Sequence, residues 1–487
     1  MGSRKLCNTG PRSRRSYDAV LSEFPGGHFR PISNPLPNGG RAVIDAAALG
    51  IREAQALFTS GELTVTAYAG ALLDQIERFD PTVQAWKSID ADAVLRDASI
   101  ADRALQEGRS LGPLHGIPVG VKDLLDIAGS ETKAGSVSLP GKIADRDAAV
   151  VARLRDAGSI ILGKTAMTVY AAMDPADTTN PWNPQHTPGG SSSGSAAAVA
   201  CCMCPAALGS QTAGSVVRPA AYCGVTGLKP TYEAISRDGL FACAWSMDHV
   251  GILARSVDDV SQLFAVAADV APIAVARDRS EFVVGVPDRY FNDEVSPDVT
   301  AAFEEAVETL RVTGAKVQTV TLPTSFESGV DAGIVIMYAE MAAVHRERFA
   351  SHKLAYPFRI KTLIEVGLEI SAADYLRAQQ VRREFGVEMS NLLKTVDCLV
   401  TPATPAAAPK GLDATGDWRF NLPFSASGHP ALSVPCGMSR DKLPVGLQLV
   451  ADYWREQTLF SVGERFQATT NWHRRRPSMM LMQEQSA

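Results

Sequence analysis

Val150-Val-Ala-Arg-Leu-Arg-Asp-Ala157, followed at once by Gly158-Ser-Ile-Ile-Leu-Gly163, decides the fold class. The pair reads as a helix, a glycine turn and an apolar strand, the beat of an α/β protein. Phe282-Val-Val-Gly-Val-Pro287, the helical pattern Val299 to Val312 and the strand pattern Ala315 to Leu322 repeat it. Upstream, Ile51 to Phe58 and Thr64 to Phe79 have apolar residues at helical spacing and read as two surface helices, with Gly61 as the stop between them. Gly116-Ile-Pro-Val-Gly-Val-Lys122-Asp123 is a short buried-strand pattern with a lysine out of place at its end. Such alternation argues an α/β fold with a large mixed β-sheet sandwiched by helices on both faces. Residues 324 to about 395 are mostly helical in pattern and charged, so a helical cap is expected there. Residues 1–42, rich in Arg, Gly and Pro and without an apolar period, read as a flexible N-terminal extension, and 43–487 as a single domain.

The composition of the 487 residues, 46% hydrophobic and 21% charged, is that of a globular protein and excludes fibrous and disordered classes. The formal net charge of −6 leaves no global positive field to hold a phosphate backbone, so nucleic acid is not expected as a partner. The apolar run Ala196 to Leu208 is broken by Pro205 and is shorter than the roughly 20 residues a membrane-spanning helix needs. No membrane association is expected. Eight cysteines, with Cys201, Cys202 and Cys204 crowded together, read as reduced apolar fillers, so the expected address is cytoplasmic and no metal is implied.

Between Asn180 and Pro230 the chain turns rich in Gly and Ser. Pro188-Gly-Gly-Ser-Ser-Ser-Gly-Ser195 precedes an Ala-rich run and then Gly209-Ser-Gln-Thr-Ala-Gly-Ser215. Hydroxyls at Ser191, Ser192, Ser193 and Ser195 with glycines around them allow the close backbone approach a catalytic loop needs. A flexible Gly/Ser linker fits poorly, because linkers do not run straight into an apolar helix and a second glycine turn. No Gly-x-x-x-x-Gly-Lys-Ser/Thr loop for phosphate is present here, and the match of Gly190-x-Ser192-x-Gly194 to a hydrolase elbow is of the kind any Gly/Ser run makes.

Over most of residues 45 to 470 the chain resembles the amidase signature family. The likeness is carried by Gly116 to Asp123, Gly189 to Val199, Gly209 to Ser215 with Arg218-Pro219-Ala220, and Cys223-Gly-Val-Thr-Gly-Leu-Lys-Pro-Thr231. It extends to Ser246-Met-Asp-His-Val-Gly251, Thr401-Pro402 and Gly428-His-Pro-Ala-Leu-Ser-Val-Pro435 ahead of Leu443-Pro-Val-Gly-Leu-Gln448. The resemblance implies the amidase signature fold and a Ser-Ser-Lys triad at Lys122, Ser191 and Ser215. In that scheme Ser215 attacks the amide carbonyl, and Ser191, on a cis peptide bond, passes its proton to Lys122. The backbone N–H groups of Thr212, Ala213, Gly214 and Ser215 would form the oxyanion hole. Elementary chemistry agrees, since burial disfavours an ammonium and turns a lysine into a base at neutral pH.

Gly189, Gly190 and Arg218 are the expected substrate-binding residues. Arg218 stands three residues after the nucleophile where the commoner pattern has its Arg two after, and either a substrate carboxylate or a loop carboxylate would suit it. Met173, Tyr338, Tyr375, Trp418 and Phe424 are candidates for an acyl pocket or for the core. His186 and His249 are expected to be structural, and Asp248 to buttress the loops. The resemblance implies no cofactor, a small-molecule amide-type substrate and a homodimer as a further expectation. The main expectation is an amidase for small or medium acyl and aryl amides, with carbamates, ureas and esters also in range. The alternative is a glutamine-hydrolysing amidotransferase subunit of a tRNA-charging complex. Gln211-Thr-Ala-Gly in place of the family's Asp-Thr-Gly-Gly weighs against that alternative.

Overall fold

The computed structural model describes residues 45–137, 140–269 and 281–480. The expected extension at 1–42 lies outside them. Among the described residues, thirteen strands run in chain order as β1 (Trp86–Ile89), β2 (Pro118–Lys122), β3 (Glu131–Thr132), β4 (Lys142–Ile143), β5 (Ile160–Thr165), β6 (Ala206–Gln211), β7 (Thr226–Lys229), β8 (His249–Ala254), β9 (Phe282–Pro287), β10 (Ala315–Val320), β11 (Cys398–Pro402), β12 (Ala431–Met438) and β13 (Pro444–Val450). Eleven of them form one sheet in the order β1-β5-β2-β6-β8-β7-β12-β13-β11-β9-β10, and β3 with β4 makes a separate small ladder. The β5-β2-β6 and β11-β9-β10 neighbours are parallel, and the rest of the sheet is antiparallel.

The opening pair of the sequence reading forms as expected: helix Ala149–Asp156 turns through Gly158 into β5. Helices Ile51–Ser60 and Val65–Val83 are amphipathic. Gly61 adopts a left-handed φ of 74° that ends the first, and the Thr64 hydroxyl caps the second by accepting the Ala67 N–H at 3.0 Å. Ile51, Tyr68 and Leu72 are fully buried, so these helices shield the core as much as they face solvent.

Three helices, Phe326–His352, Phe358–Glu369 and Ala372–Leu393, occupy the stretch expected to be helical. Phe326, Phe385 and Met389 share an apolar cluster with Phe291, Phe420 and Phe424, which ties the stretch to the sheet. Among the described residues no helix is long and apolar enough to cross a membrane.

The register of the central strands places the chemistry. In the parallel β2-β6 pair Val121 lies beside Leu208, so Lys122 emerges level with the Gly209-Ser210 step. The Ala-rich run is the helix Ser193–Ala200, and it leads directly into β6. Both small-residue loops therefore open at the same end of the sheet as Lys122, the usual place for a site in an α/β fold.

Candidate active site

Lys122 is fully buried and its ammonium nitrogen is ringed by oxygens. Nζ lies 2.7 Å from Ser191 Oγ, 2.9 Å from Ser192 Oγ, 2.9 Å from Ser210 Oγ and 3.3 Å from Ser210 O. Among the described residues no carboxylate closes this ring. Burial is the main cause that pulls the Lys122 pKa down from 10.5 to about 7, with Arg218 acting the same way and Cys243 and Asp248 opposing. Asp123, the neighbour in sequence, instead faces Lys164 at 3.8 Å.

Donor counting assigns the proton traffic. The Ser192 hydroxyl donates to Ser210 O and accepts the Ser210 N–H, both at 3.2 Å, so toward Lys122 it acts as acceptor. Ser210 O is an acceptor as well. A neutral amine offers two N–H bonds to these acceptors and one lone pair, and the Ser191 and Ser210 hydroxyls are the groups that can give that lone pair a hydrogen. Ser191 Oγ, at the shortest distance, is placed to supply it.

Two backbone features bring the loops together. The Ser192 N–H donates to the Ser215 carbonyl at 3.3 Å, and the Gly190–Ser191 peptide is cis. Gly209 is required for this approach, because a Cβ there would meet Ser192 Oγ at 2.9 Å. Gly189, with a φ of 85°, accepts the Ser193 hydroxyl at 2.8 Å on its carbonyl.

Around the nucleophile position the N–H groups of Val216 and Val217 are taken by Gln211 Oε1, and that of Arg218 by Gly214 O. The N–H groups of Thr212, Ala213, Gly214 and Ser215 have no protein acceptor among the described residues, so they are free to hold a developing oxyanion. Ala213, where the family more often has Gly, is not among the residues with positive φ, so its Cβ does not strain the turn. Thr212 donates its hydroxyl to Asp248 Oδ1 at 2.6 Å, and Asp248 also accepts the Cys243 and Ala244 N–H groups. Burial raises that carboxyl to about 6, against the pull of these donors.

Arg218 is buried, donating at 2.6 Å to Gly416 O and at 2.6 Å to Gly190 O. It ties loop carbonyls together, a role the sequence reading offered only in the form of loop carboxylates. Burial lowers its pKa to about 10. Gly190 therefore has its carbonyl engaged inside the protein. His186 Nδ1 pairs with Ala408 O at 2.8 Å and His249 Nδ1 with Met247 O at 2.7 Å, away from any serine hydroxyl.

Three of the five pocket candidates take distinct places. Phe424 stacks on Phe291 in the core with ring centroids 5.7 Å apart, and the Tyr375 hydroxyl bonds Glu340 at 2.8 Å. Trp418 does lie on the nucleophile turn, where a Cβ added to Gly214 would meet Trp418 Cβ at 2.9 Å and Asn421 Oδ1 at 2.6 Å. Sequence reasoning missed Ser210 and Ser425 and mistook Gln211 for a mere departure from pattern. Only the register and the packing of the helix Leu422–Ser427 bring these three to the site.

A family model described as Amidase matches residues 68–460. The glutamyl-tRNA(Gln) amidotransferase A subunit of Chloroflexus aurantiacus is 36% identical over 484 residues, covering 89% of this chain and 99% of that protein. The same-named protein of Thiobacillus denitrificans is 33% identical, over 84% of this chain and 94% of its own. Among solved structures, a peptide amidase in complex with the inhibitor chymostatin superposes with a TM-score of 0.76 at 32% identity, covering 88% of this chain and 98% of that one.

Two expectations are corrected by these relatives. The main reading, a stand-alone amidase for small or medium acyl and aryl amides, carbamates, ureas or esters, gives way to the alternative, whose name the relatives bear over nearly their full length. Gln211 misled that reading. Its side-chain oxygen accepts two backbone N–H groups, the same service an Asp offers, so the exchange does not weigh against the alternative. The exclusion of nucleic acid also falls, since the relatives' name includes a tRNA and describes one member of a multi-subunit enzyme. Net charge sums over the whole surface and does not describe any one patch of it.

Proposed function

The chain belongs to the amidase family, and from that premise we propose that it is a glutamine-hydrolysing amidotransferase subunit of the glutamyl-tRNA(Gln) type, acting in the cytoplasm with tRNA and a partner subunit. Ser215 attacks the side-chain carbonyl of glutamine while Ser191 takes its proton and relays it to Lys122. The N–H groups of Thr212 to Ser215 hold the oxyanion, and donors of this kind are each worth about 10²- to 10³-fold in rate. Ser191 then returns the proton to the departing nitrogen, ammonia leaves toward the partner's site, and water releases glutamate from the Ser215 ester by the same relay.

The observation that carries this reading is the buried Lys122 at 2.7 Å from Ser191, in a chain alignable with such subunits over 89% of its length. The test is glutamate and ammonia release from glutamine by the protein alone and after co-expression with its genomic neighbours, beside Ser215→Ala. Release that depends on Ser215 and rises with a co-purifying subunit is expected. A wild type that leaves glutamine untouched in both forms overturns the proposal.

A further inference from the structure

A buried carboxylate that the reaction scheme does not use is bonded to the turn behind the oxyanion loop. Glu340 lies in the middle of the helix Phe326–His352 and is 1% exposed. Its Oε2 accepts the Ser246 N–H at 2.8 Å, and its Oε1 accepts the Ser246 hydroxyl at 2.6 Å. The Tyr375 hydroxyl, from the helix Ala372–Leu393, donates to the same Oε1 at 2.8 Å. That helix also supplies Arg382, whose Nη1 donates to Ser246 O at 2.9 Å and to Ser246 Oγ at 3.0 Å. Two helices thus converge on one serine. Ser246 sits inside a tight turn, in which the Met247 and Asp248 N–H groups donate to Ala244 O at 2.8 Å and 2.9 Å, so Ser246 and Asp248 move together. On its other side the turn presents Asp248, which accepts the Thr212 hydroxyl at 2.6 Å. Thr212 opens the run of four N–H groups left free for the oxyanion.

We propose that Glu340 is a positioning residue for the oxyanion turn: it fixes Ser246 and, through Asp248 and the Thr212 hydroxyl, aims the N–H groups that start at Thr212. The inference rests on the reading of Ser215 and its neighbouring N–H groups given above. A carboxylate suits the place because it only accepts, and both of its oxygens face donors. Glutamine at 340 would keep the shape and exchange one acceptor for an NH2. That NH2 either faces the Ser246 N–H or forces the Ser246 and Tyr375 hydroxyls to reverse, and Ser246 Oγ already accepts Arg382. Oxyanion donors act only when aimed at the place where charge develops, so a small displacement of the turn lowers kcat and spares ground-state binding.

The experiment compares wild type, Glu340→Gln and Tyr375→Phe, each with any co-purifying subunit, by kcat and KM for glutamine and by Ki for two ligands. One ligand is the boronic acid analogue of glutamine, which forms a tetrahedral adduct on Ser215; the other is the product glutamate. Glu340→Gln should lower kcat about tenfold and raise the boronate Ki by a similar factor, with KM and the glutamate Ki within about twofold of wild type. Tyr375→Phe, which leaves both Ser246 bonds to Glu340, should do the same to a smaller degree. Hydrogen–deuterium exchange supplies a readout that needs no turnover: in Glu340→Gln, residues 209–218 should exchange about threefold faster while residues 149–163 keep the wild-type rate. A folded Glu340→Gln with wild-type kcat, boronate Ki and exchange overturns the proposal, as does a loss that falls on KM and the glutamate Ki equally. Glutamine turnover that survives in Ser215→Ala, or is absent from the wild type, overturns the reading of the site itself, and the exchange of residues 209–218 then still decides the role of Glu340.

Discussion

Replacing Lys122 by methionine separates stability from function, and the size of the effect follows from the surroundings of the amine. Burial holds the Lys122 pKa near 7 against an ordinary 10.5. At about 1.4 kcal/mol per unit, the folded protein disfavours the charged form by roughly 5 kcal/mol at low pH. Because the folded-state value is depressed, the folded protein binds fewer protons than the unfolded chain between about pH 7 and 10.5. Wild-type stability therefore rises with pH across that window, and the full penalty is present below it. Methionine has a similar length and no charge, but it leaves the Ser191 and Ser210 hydroxyls without the amine, at about 1–3 kcal/mol each. That cost does not vary with pH, so it offsets the difference between the two proteins without changing its slope. The wild type should gain on Lys122→Met by about 2 kcal/mol between pH 7 and 9, and by almost nothing between pH 5 and 6. Urea unfolding followed by tryptophan fluorescence at several pH values reads this directly, and turnover should be abolished throughout. A difference in unfolding free energy that is constant with pH would refute the reasoning, since Lys122 would then keep an ordinary proton affinity in the fold.

Lys229 supplies a contrast: it is fully buried, pulled down to about 7 by burial, and among the described residues donates only to the Pro230 and His429 carbonyls, at 3.1 Å and 2.5 Å. Lys229→Met should show the same pH slope in stability while kcat stays within about threefold of wild type, since no hydroxyl relay meets it. Arg218→Met removes two charge-assisted tethers, so both stability, by about 2–4 kcal/mol, and kcat on acidic and neutral amides alike should fall. A selective rise in KM for acidic amides with unchanged unfolding would assign Arg218 to the substrate instead. Gly214→Ala pushes a Cβ to 2.6 Å from Asn421 Oδ1 and should lower kcat at least tenfold with a normally folded core, as steady-state kinetics and circular dichroism would report.

Much of this molecule was legible in one dimension because local constraints are strong where they recur. The pattern from Val150 to Gly163 permits little except helix, turn and strand, and the lysine closing Gly116 to Lys122 has an unfavourable environment wherever that strand is buried. A buried amine needs oxygens, and Gly/Ser loops are where oxygens can come close. The resemblance to the amidase signature family pairs Lys122 with Ser191, and the structure sets them 2.7 Å apart.

The tertiary structure alone decided which of several plausible neighbours each group took. Composition and spacing do not tell whether Lys122 turns to Asp123 or to serines 70 and 88 residues on, because the choice depends on strand register. Nor do they tell that Arg218 binds two carbonyls, or that Gln211 works with Ser425, which lies 214 residues away. A hydrogen-bonding side chain is satisfied by whatever partner the fold delivers within about 3 Å. The sequence by itself determines which groups need partners. Long-range packing determines which partners they receive.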